Sequence, residues 1–486
     1  MLKDLSKDMV IYGLFEVTVG LLAFISIPIF TRLFLPADYG ILSLVTSIMA
    51  MFVIFLNLGM DNSVSRYFFE AKDDKERTVI ISTGFWFVVI WSVILVIVLF
   101  FLSRQFSSLS FKSPSYAALF RLAWPAAALG TTIIYFKNIV RFYFKPWKFG
   151  IIAIAEGILV LAFTVLFVFN FAGGLFGYFL GIVLGSLLAV LIGINFIKKD
   201  LQLVFSFPVI KKLLNYGLPF VPAGIAYWIF SLSDRFMLVR LSSLEQLGLY
   251  SVAAKVTFAI TLLGRIFGRA WSPHALKMYK QSPAHKEIFG RMLIYLLFGF
   301  SYVAVSMTVF APELLRIFTV KEYYAAAYAI CPLALGLVAY GLTQITMLGI
   351  NLVFKTQYIS HCSWLAAIVN VALNLLLIPK YGMIGASIAT MISYILLTVS
   401  YGFISQRLYP IKIDLGKLFK SLAIILSFVI FSFGINHIST NKGLIIVVFF
   451  KTTYLVLYPA LFLLTGIFDK SEILHVKAMA KLFKKC

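Results

Sequence analysis

The sequence is short of charge: Lys, Arg, Asp and Glu make up 13% of its 486 residues, against 62% apolar residues. Soluble domains carry about 25% charged and about 45–50% apolar residues, so a soluble core large enough to hide this chain's apolar surface is excluded. Acidic residues are scarcer still, with 19 against 42 basic ones and a formal net charge of +23. That excess does not mark a nucleic-acid binder, because the cations fall in short loops between apolar runs rather than along one stripe. Cysteine is nearly absent. Cys331, Cys362 and Cys486 are scattered without metal or redox spacing, and the terminal KKC forms no prenylation box. The five histidines (His274, His285, His361, His437, His475) stand apart, with His361 reading as a helix-end residue, and no HExxH, Walker A loop or GxSxG elbow occurs. The expectation is a protein that is not an enzyme and has neither a metal nor a cofactor.

What is abundant is long apolar runs. Fourteen are read, at 9–30, 40–59, 78–102, 115–136, 149–170, 174–197, 213–239, 248–270, 289–310, 325–350, 358–378, 382–404, 418–438 and 443–467. Each can cross about 30 Å of hydrocarbon at about 1.5 Å per residue. None shows the period-2 alternation of a membrane barrel, so helices are expected. With the N-terminus placed in the cytoplasm, 30 of the 42 Lys and Arg fall on the cytoplasmic side and 8 on the other. The remaining 4, Arg121, Arg235, Lys255 and Lys451, lie within spans. Both termini are therefore expected in the cytoplasm. The first run carries Glu16 and lacks a cleavage site, so it reads as a retained helix. The longest outer loop, Ala311 to Tyr324, has about fourteen residues.

The chain also repeats itself. Arg32-Leu33 and Gly40 recur as Arg240-Leu241 and Gly248, and Gly174 and Gly177 recur as Gly382 and Gly385, always 208 residues apart. Tyr12-Gly13-Leu14 recurs as Tyr216-Gly217-Leu218. Six spans per copy is an even number, so the two copies face the same way and are related by an axis along the membrane normal. The expected division is a six-helix lobe at 1–208, a second at 209–412, and two further spans with a basic tail at 413–486.

Ionisable groups inside spans are costly and are functional hypotheses by default. They concentrate in the hairpin from Tyr216 to Val256, bent by Pro219 and Pro222. Tyr227, Ser231 and then Asp234 or Arg235 share one helix face, and Ser251 and Lys255 share a face on the next helix. Arg235 and Lys255 lie at similar depth and can form one positive site, unless Arg235 pairs with Asp234 or snorkels outward. Glu16, with Tyr12 on its face, either carries a proton or binds a cation, or is a neutral carboxyl bonded to a neighbouring helix. Glu156 reads as bonded to a neighbouring helix, Arg121 as near its outer helix end, and Lys451 as structural. Asn370 and Asn374, at i and i+4, suit helix–helix bonding. Pro28, Gly336, Gly341 and Gly349 are further kink or close-packing positions. At the repeat offset Arg235 corresponds to Ile27, Lys255 to Ser47, Glu16 to Gly224 and Glu156 to Trp364. The scaffold repeats and the charges do not.

The segments IPIFTRLFLPADYGILSLVTSI, LGMDNSVSRYFFE, LPFVPAGIAYWIFSLSDRFMLVRLSSLEQLGLYSVAAKV and LNLLLIPKYGMIGASIATMISY resemble bacterial polysaccharide-biosynthesis membrane proteins. The chain looks like a Wzx-type oligosaccharide flippase of the multidrug/oligosaccharidyl-lipid/polysaccharide exporter superfamily. The resemblance implies an all-α polytopic fold with a V-shaped, MATE-like pair of six-helix lobes in the bacterial inner membrane. It implies alternating-access movement of undecaprenyl-pyrophosphate-linked oligosaccharide to the outer leaflet, for O-antigen, capsule or exopolysaccharide. The expected partners are that lipid-linked oligosaccharide, membrane lipids, and glycan polymerase and chain-length proteins. On this reading Arg235, Lys255 and Arg121 take the pyrophosphate. Tyr227, Ser231, Asn370 and Asn374 take sugars, and Glu16 and Asp234 couple to H+ or Na+. The alternatives are a drug/cation antiporter or a lipid II flippase on the same scaffold. A glycan polymerase or ligase would need a larger outer loop with catalytic Arg or His.

Overall fold

The computed structural model describes residues 2–170, 173–281, 285–355, 357–439 and 444–468. Every regular element among them is helical, as continuous apolar runs require where water cannot satisfy backbone groups. In chain order they begin with α1 (Leu2–Leu33), α2 (Pro36–Asn57), α3 (Met60–Glu70), α4 (Asp74–Phe101), α5 (Ser103–Phe111) and α6 (Ala117–Phe142). Then come α7 (Pro146–Asn170), α8 (Gly174–Ile197), α9 (Phe207–Gly217), α10 (Phe220–Leu241), α11 (Leu244–Gln281) and α12 (His285–Val309). The last are α13 (Ala311–Phe318), α14 (Ala327–Thr346), α15 (Leu348–Leu352), α16 (Gln357–Leu408), α17 (Leu415–Ser439) and α18 (Leu444–Leu464).

Among the described residues twelve helices are long and apolar enough to cross a membrane, or thirteen if α9 and α10, bent by 41° at their break, form one span. The fourteen expected spans differ from this count for a physical reason. Two of them, 358–378 and 382–404, run together in the 52-residue α16, whose helical backbone is interrupted at Gly382 (φ 53°, ψ −128°). A straight helix of that length would reach about 78 Å, more than twice the hydrocarbon thickness.

The chain packs as two units. Unit one comprises Met1–Lys255, Phe318–Tyr323 and Ala367–Ala386, and so takes in 209–255, the opening of the second sequence copy. Within it the repeat is visible in three dimensions. A Cβ on Gly40 would collide with the carbonyl oxygen of Leu244, and one on Gly248 with that of Pro36. A turn further on, Ser251 Oγ meets Ser43 Oγ at 2.7 Å. Pro36 and Leu244, Gly40 and Gly248, and Ser43 and Ser251 are all related by the 208-residue offset. So α2 and α11 cross as equivalent helices around a local two-fold, with glycines at the crossing because no side chain fits. The other repeated glycines agree: Gly174 and Gly382 both take the left-handed φ, at 47° and 53°, where glycine alone is unstrained. The third pair is not equivalent in packing. Gly13 has open space around it, whereas a Cβ on Gly217 would stand 2.6 Å from Leu58 O at the α9–α10 bend.

Gly248→Ala is expected to cost about 3 kcal/mol or more, at the upper end of overpacking effects, because the obstruction is backbone and cannot rotate away. Gly264→Ala, on the same helix but with nothing within 4 Å of its Cβ, is expected to be neutral or stabilising by up to about 1 kcal/mol. Melting of both variants in detergent checks the pair, and an equal effect would show that the close crossing is not the cause.

Unit two comprises Val256–Ile317, Tyr324–Ala366 and Ser387–Cys486, with a core of α12, α14, α17 and α18 side chains around Phe300, Phe428 and Tyr458. Two sequence expectations change here and in unit one. The stretch from Ala311 is not a loop: it forms α13 and then a 3-10 turn at Lys321–Ala326. Its Glu313 is buried and takes both 2.8 Å hydrogen bonds from Lys451 of α18. In unit one, α6 continues past residue 136 to Phe142, so Lys137 lies inside a helix and pairs with Glu156 at 2.9 Å. Both cases have one cause. A charge that pairs across helices does not end the helix it sits on, so apolar-run length underestimates the element.

Candidate functional site

Consecutive residues of a helix point about 100° apart, and α10 uses this at Asp234 and Arg235. Asp234, buried, turns to α11 and accepts from the Tyr250 hydroxyl and from the Arg235 backbone N–H. Arg235 turns to α2, where Nη1 donates to Ser47 Oγ at 3.0 Å. Trp228, two turns earlier, donates to the Ser47 carbonyl at 2.8 Å and holds α10 on α2. The Ser47 hydroxyl donates in turn to Ser43 O at 2.6 Å, leaving a lone pair for the guanidinium. Lys255 follows Ser251 by one turn of α11. Its ammonium stands 5.0 Å above the centre of the Tyr39 ring, and among the described residues no carboxylate pairs with it.

Arg235 and Lys255 line one cavity of about 140 Å³ in unit one. Its aromatic wall is Phe30, Tyr39 and Tyr178, with Phe30 and Tyr178 packed edge to face at 5.0 Å. Ser43, Thr46 and Ser251 add hydroxyls, Leu42 completes the lining, and no acidic residue contributes. Among the described residues its lining holds two basic side chains and no acidic one. The places related to Arg235, Phe30 and Tyr39 by the repeat are held by Ile27, Leu238 and Leu247, each 0% exposed. The cavity is thus built on one side of a symmetric crossing, and the other side is filled with apolar core.

The remaining sequence candidates lie elsewhere. Tyr227 is 62% exposed, and neither it nor Ser231 lines the cavity. Tyr227 falls within about 20° of Asp234 around α10 and about 80° from Arg235, so it belongs to a different face. Asp234 is also outside the lining, as is Glu16 on α1. Arg121 is exposed, with its guanidinium 5.2 Å from the Phe100 ring centre. Asn374 Nδ2 donates to Asn370 Oδ1 at 3.0 Å, both side chains being buried. Sequence reasoning missed Tyr39 and Tyr178. The signal was their departure from the repeat, since their equivalents at the 208 offset are Leu247 and Ala386.

A second cavity, of about 200 Å³ in unit two, is larger but mixed in sign, with Arg291, Lys412 and Lys417 beside Glu287 and Asp414. Lys412 already pairs with Glu287 at 2.8 Å, so it offers no comparable excess of positive charge. Among the described residues no three His, Cys, Asp or Glu side chains come together.

Comparison with known proteins adds a family and a fold. The family model described as polysaccharide biosynthesis protein matches residues 5–279. A putative O-antigen transporter of Shigella flexneri is 21% identical over 373 residues, covering 74% of this chain and 88% of the relative. Among solved structures, the lipid II flippase MurJ in an inward closed conformation is similar with a TM-score of 0.72 at 15% identity, over 94% of this chain and 100% of that one. An inward-facing multidrug resistance MATE family transporter of the MOP superfamily is similar at 0.66 and 13% identity, over 81% and 97%.

Proposed function

The chain belongs to the polysaccharide biosynthesis protein family, and on that premise we propose that it is a flippase for polyprenyl-pyrophosphate-linked oligosaccharide. The observation that carries this reading is the cavity of unit one, with two cations, no acid and a volume of about 140 Å³. A pyrophosphate bearing sugars cannot enter hydrocarbon unaided, because unpaired charges and hydroxyls are too costly to bury. Fixed cations remove that barrier for the anionic part. The volume is under half of the roughly 300–1,000 Å³ that encloses a whole drug-sized ligand. The cavity therefore suits the compact phosphate group, with the sugars and the polyprenyl tail outside it. The protein exposes this site alternately to the two faces of the bacterial inner membrane, with both termini in the cytoplasm, and supplies repeat units to a polymerase without being an enzyme itself. Asp234, next to Arg235, and Glu16 are the groups through which an H+ or Na+ gradient would act. A drug/cation antiporter on the same fold would need a carboxylate where this cavity has lysine and arginine.

The test is reconstitution of the full chain in vesicles with a fluorescent short-chain polyprenyl-diphosphate disaccharide, following its exposure to a membrane-impermeant quencher. The expected result is exchange between leaflets well above that of protein-free vesicles. No exchange, together with gradient-driven export of a cationic dye, would replace this reading with the antiporter.

A further inference from the structure

Tyr39 is placed to do more than line the cavity. It is 3% exposed, yet its hydroxyl has no hydrogen-bond partner among the described residues. The Nε–H of Arg235, across the same cavity, is likewise buried and unpartnered. The large majority of buried side-chain polar atoms in proteins have a hydrogen-bond partner, so two orphan donors on residues that line one small cavity call for an acceptor. The neighbouring hydroxyls show that the shortage is selective. Ser251 donates to Leu247 O at 2.7 Å and Thr46 to Leu42 O at 2.8 Å. The Tyr39 ring is also held firmly. Its backbone N–H bonds Leu35 O at 3.0 Å in the first turn of α2, and the ring packs edge to face on Tyr323 at 5.9 Å. Gly40, next in the chain, lies at the helix crossing.

Building on the reading of this cavity as an anion site, we infer that Tyr39 is a direct phosphate ligand. Its hydroxyl and the Arg235 Nε–H donate to phosphoryl oxygens, while its ring face holds the Lys255 ammonium within reach of the same group. A tetrahedral phosphoryl group presents several acceptor oxygens and can take all three donors at once. A cation accepts no hydrogen bond, and a neutral sugar brings no negative charge to the two basic groups. Tyrosine suits the task because a packed ring loses little rotamer freedom on binding. The repeat supports the assignment: the equivalent of Tyr39 is Leu247, an apolar side chain that is fully buried.

The experiment measures binding of inorganic pyrophosphate and of a short-chain prenyl diphosphate to the full chain in nanodiscs, with melting recorded before and after ligand. Tyr39→Phe keeps the ring and removes only the hydroxyl. It is expected to bind both probes about 10–100-fold more weakly, as loss of a hydrogen bond to a charged group requires. Without ligand it should melt at or above the wild-type temperature, since the hydroxyl it loses has no partner. Tyr39→Leu, which also strips the ring from Lys255, should bind more weakly still. Wild-type affinity in Tyr39→Phe, or a lower melting temperature without ligand, overturns the role given to Tyr39. If Arg235→Ala loses binding at the same time, the anion site itself stands. Failure of the wild type to bind either probe overturns the anion site and the Tyr39 assignment together.

Discussion

Lys255→Met is expected to abolish glycan translocation and, at the same time, to raise the melting temperature of the purified protein. The two effects follow from one fact. The Lys255 ammonium is held over an aromatic ring, with no carboxylate pairing it among the described residues. The effective cost of burying an unpaired ion is several kcal/mol, and an attraction to an aromatic face returns roughly 0.5–2 kcal/mol of it. Methionine fills the same space without the charge, so the empty protein gains stability while the anion loses a ligand. Removing Arg235 is less clean, because Asp234 then loses its adjacent cation while still bonded to Tyr250. Arg235→Met should therefore impair translocation and lower stability as well. In cells lacking the native protein, the Lys255→Met/Arg235→Met double variant should accumulate the lipid-linked repeat unit on the cytoplasmic face and leave the surface polysaccharide depleted. Normal surface polysaccharide from a well-expressed double variant would sink the anion-site assignment.

The opposite sign is expected at the lysine of α18. Lys451 is fully buried, but it is bound through two 2.8 Å hydrogen bonds to Glu313, whose side chain is 10% exposed. Lys451→Met strands that carboxylate, and breaking a buried pair on one side costs about 3–5 kcal/mol. Additional bonds tie α18 and α17 to α12, Ser301 to Tyr458 at 2.7 Å and Asn436 to Thr308 O at 3.2 Å. The loss should therefore appear as loosening of α17 and α18 rather than of the whole chain. The double variant Lys451→Met/Glu313→Leu removes both charges and should return to wild-type stability or exceed it. Melting in detergent, with protease sensitivity mapped to 409–468, distinguishes the cases. A double variant no better than Lys451→Met would show that the pair is more than mutual neutralisation. Because neither residue lines the cavity, the double variant should keep its affinity for diphosphate.

The two lysines also measure how far the residues could be read before folding. Both are single cations in long apolar runs, and nothing local tells them apart. The difference is Glu313, which looked like a loop residue because it lies between two apolar spans. It became a buried partner only when α13 placed it beside α18.

Much was determined by composition and pattern alone. Apolar runs of membrane length dictate helices, since a backbone in hydrocarbon must satisfy itself. The 208-residue offset pairs Gly40 with Gly248, and those two glycines mark where α2 and α11 cross. Arg235 and Lys255 were legible as the costly charges, and they do line one cavity. Tertiary structure alone decided the rest. Helical periodicity says which residues share a face, not what stands opposite that face. So only packing could turn Asp234 to Tyr250 and Arg235 to Ser47, set Tyr39 beneath Lys255, and leave Tyr227 outside. A site is a convergence of side chains from α1, α2, α8, α10 and α11, and that convergence exists only after the helices have docked.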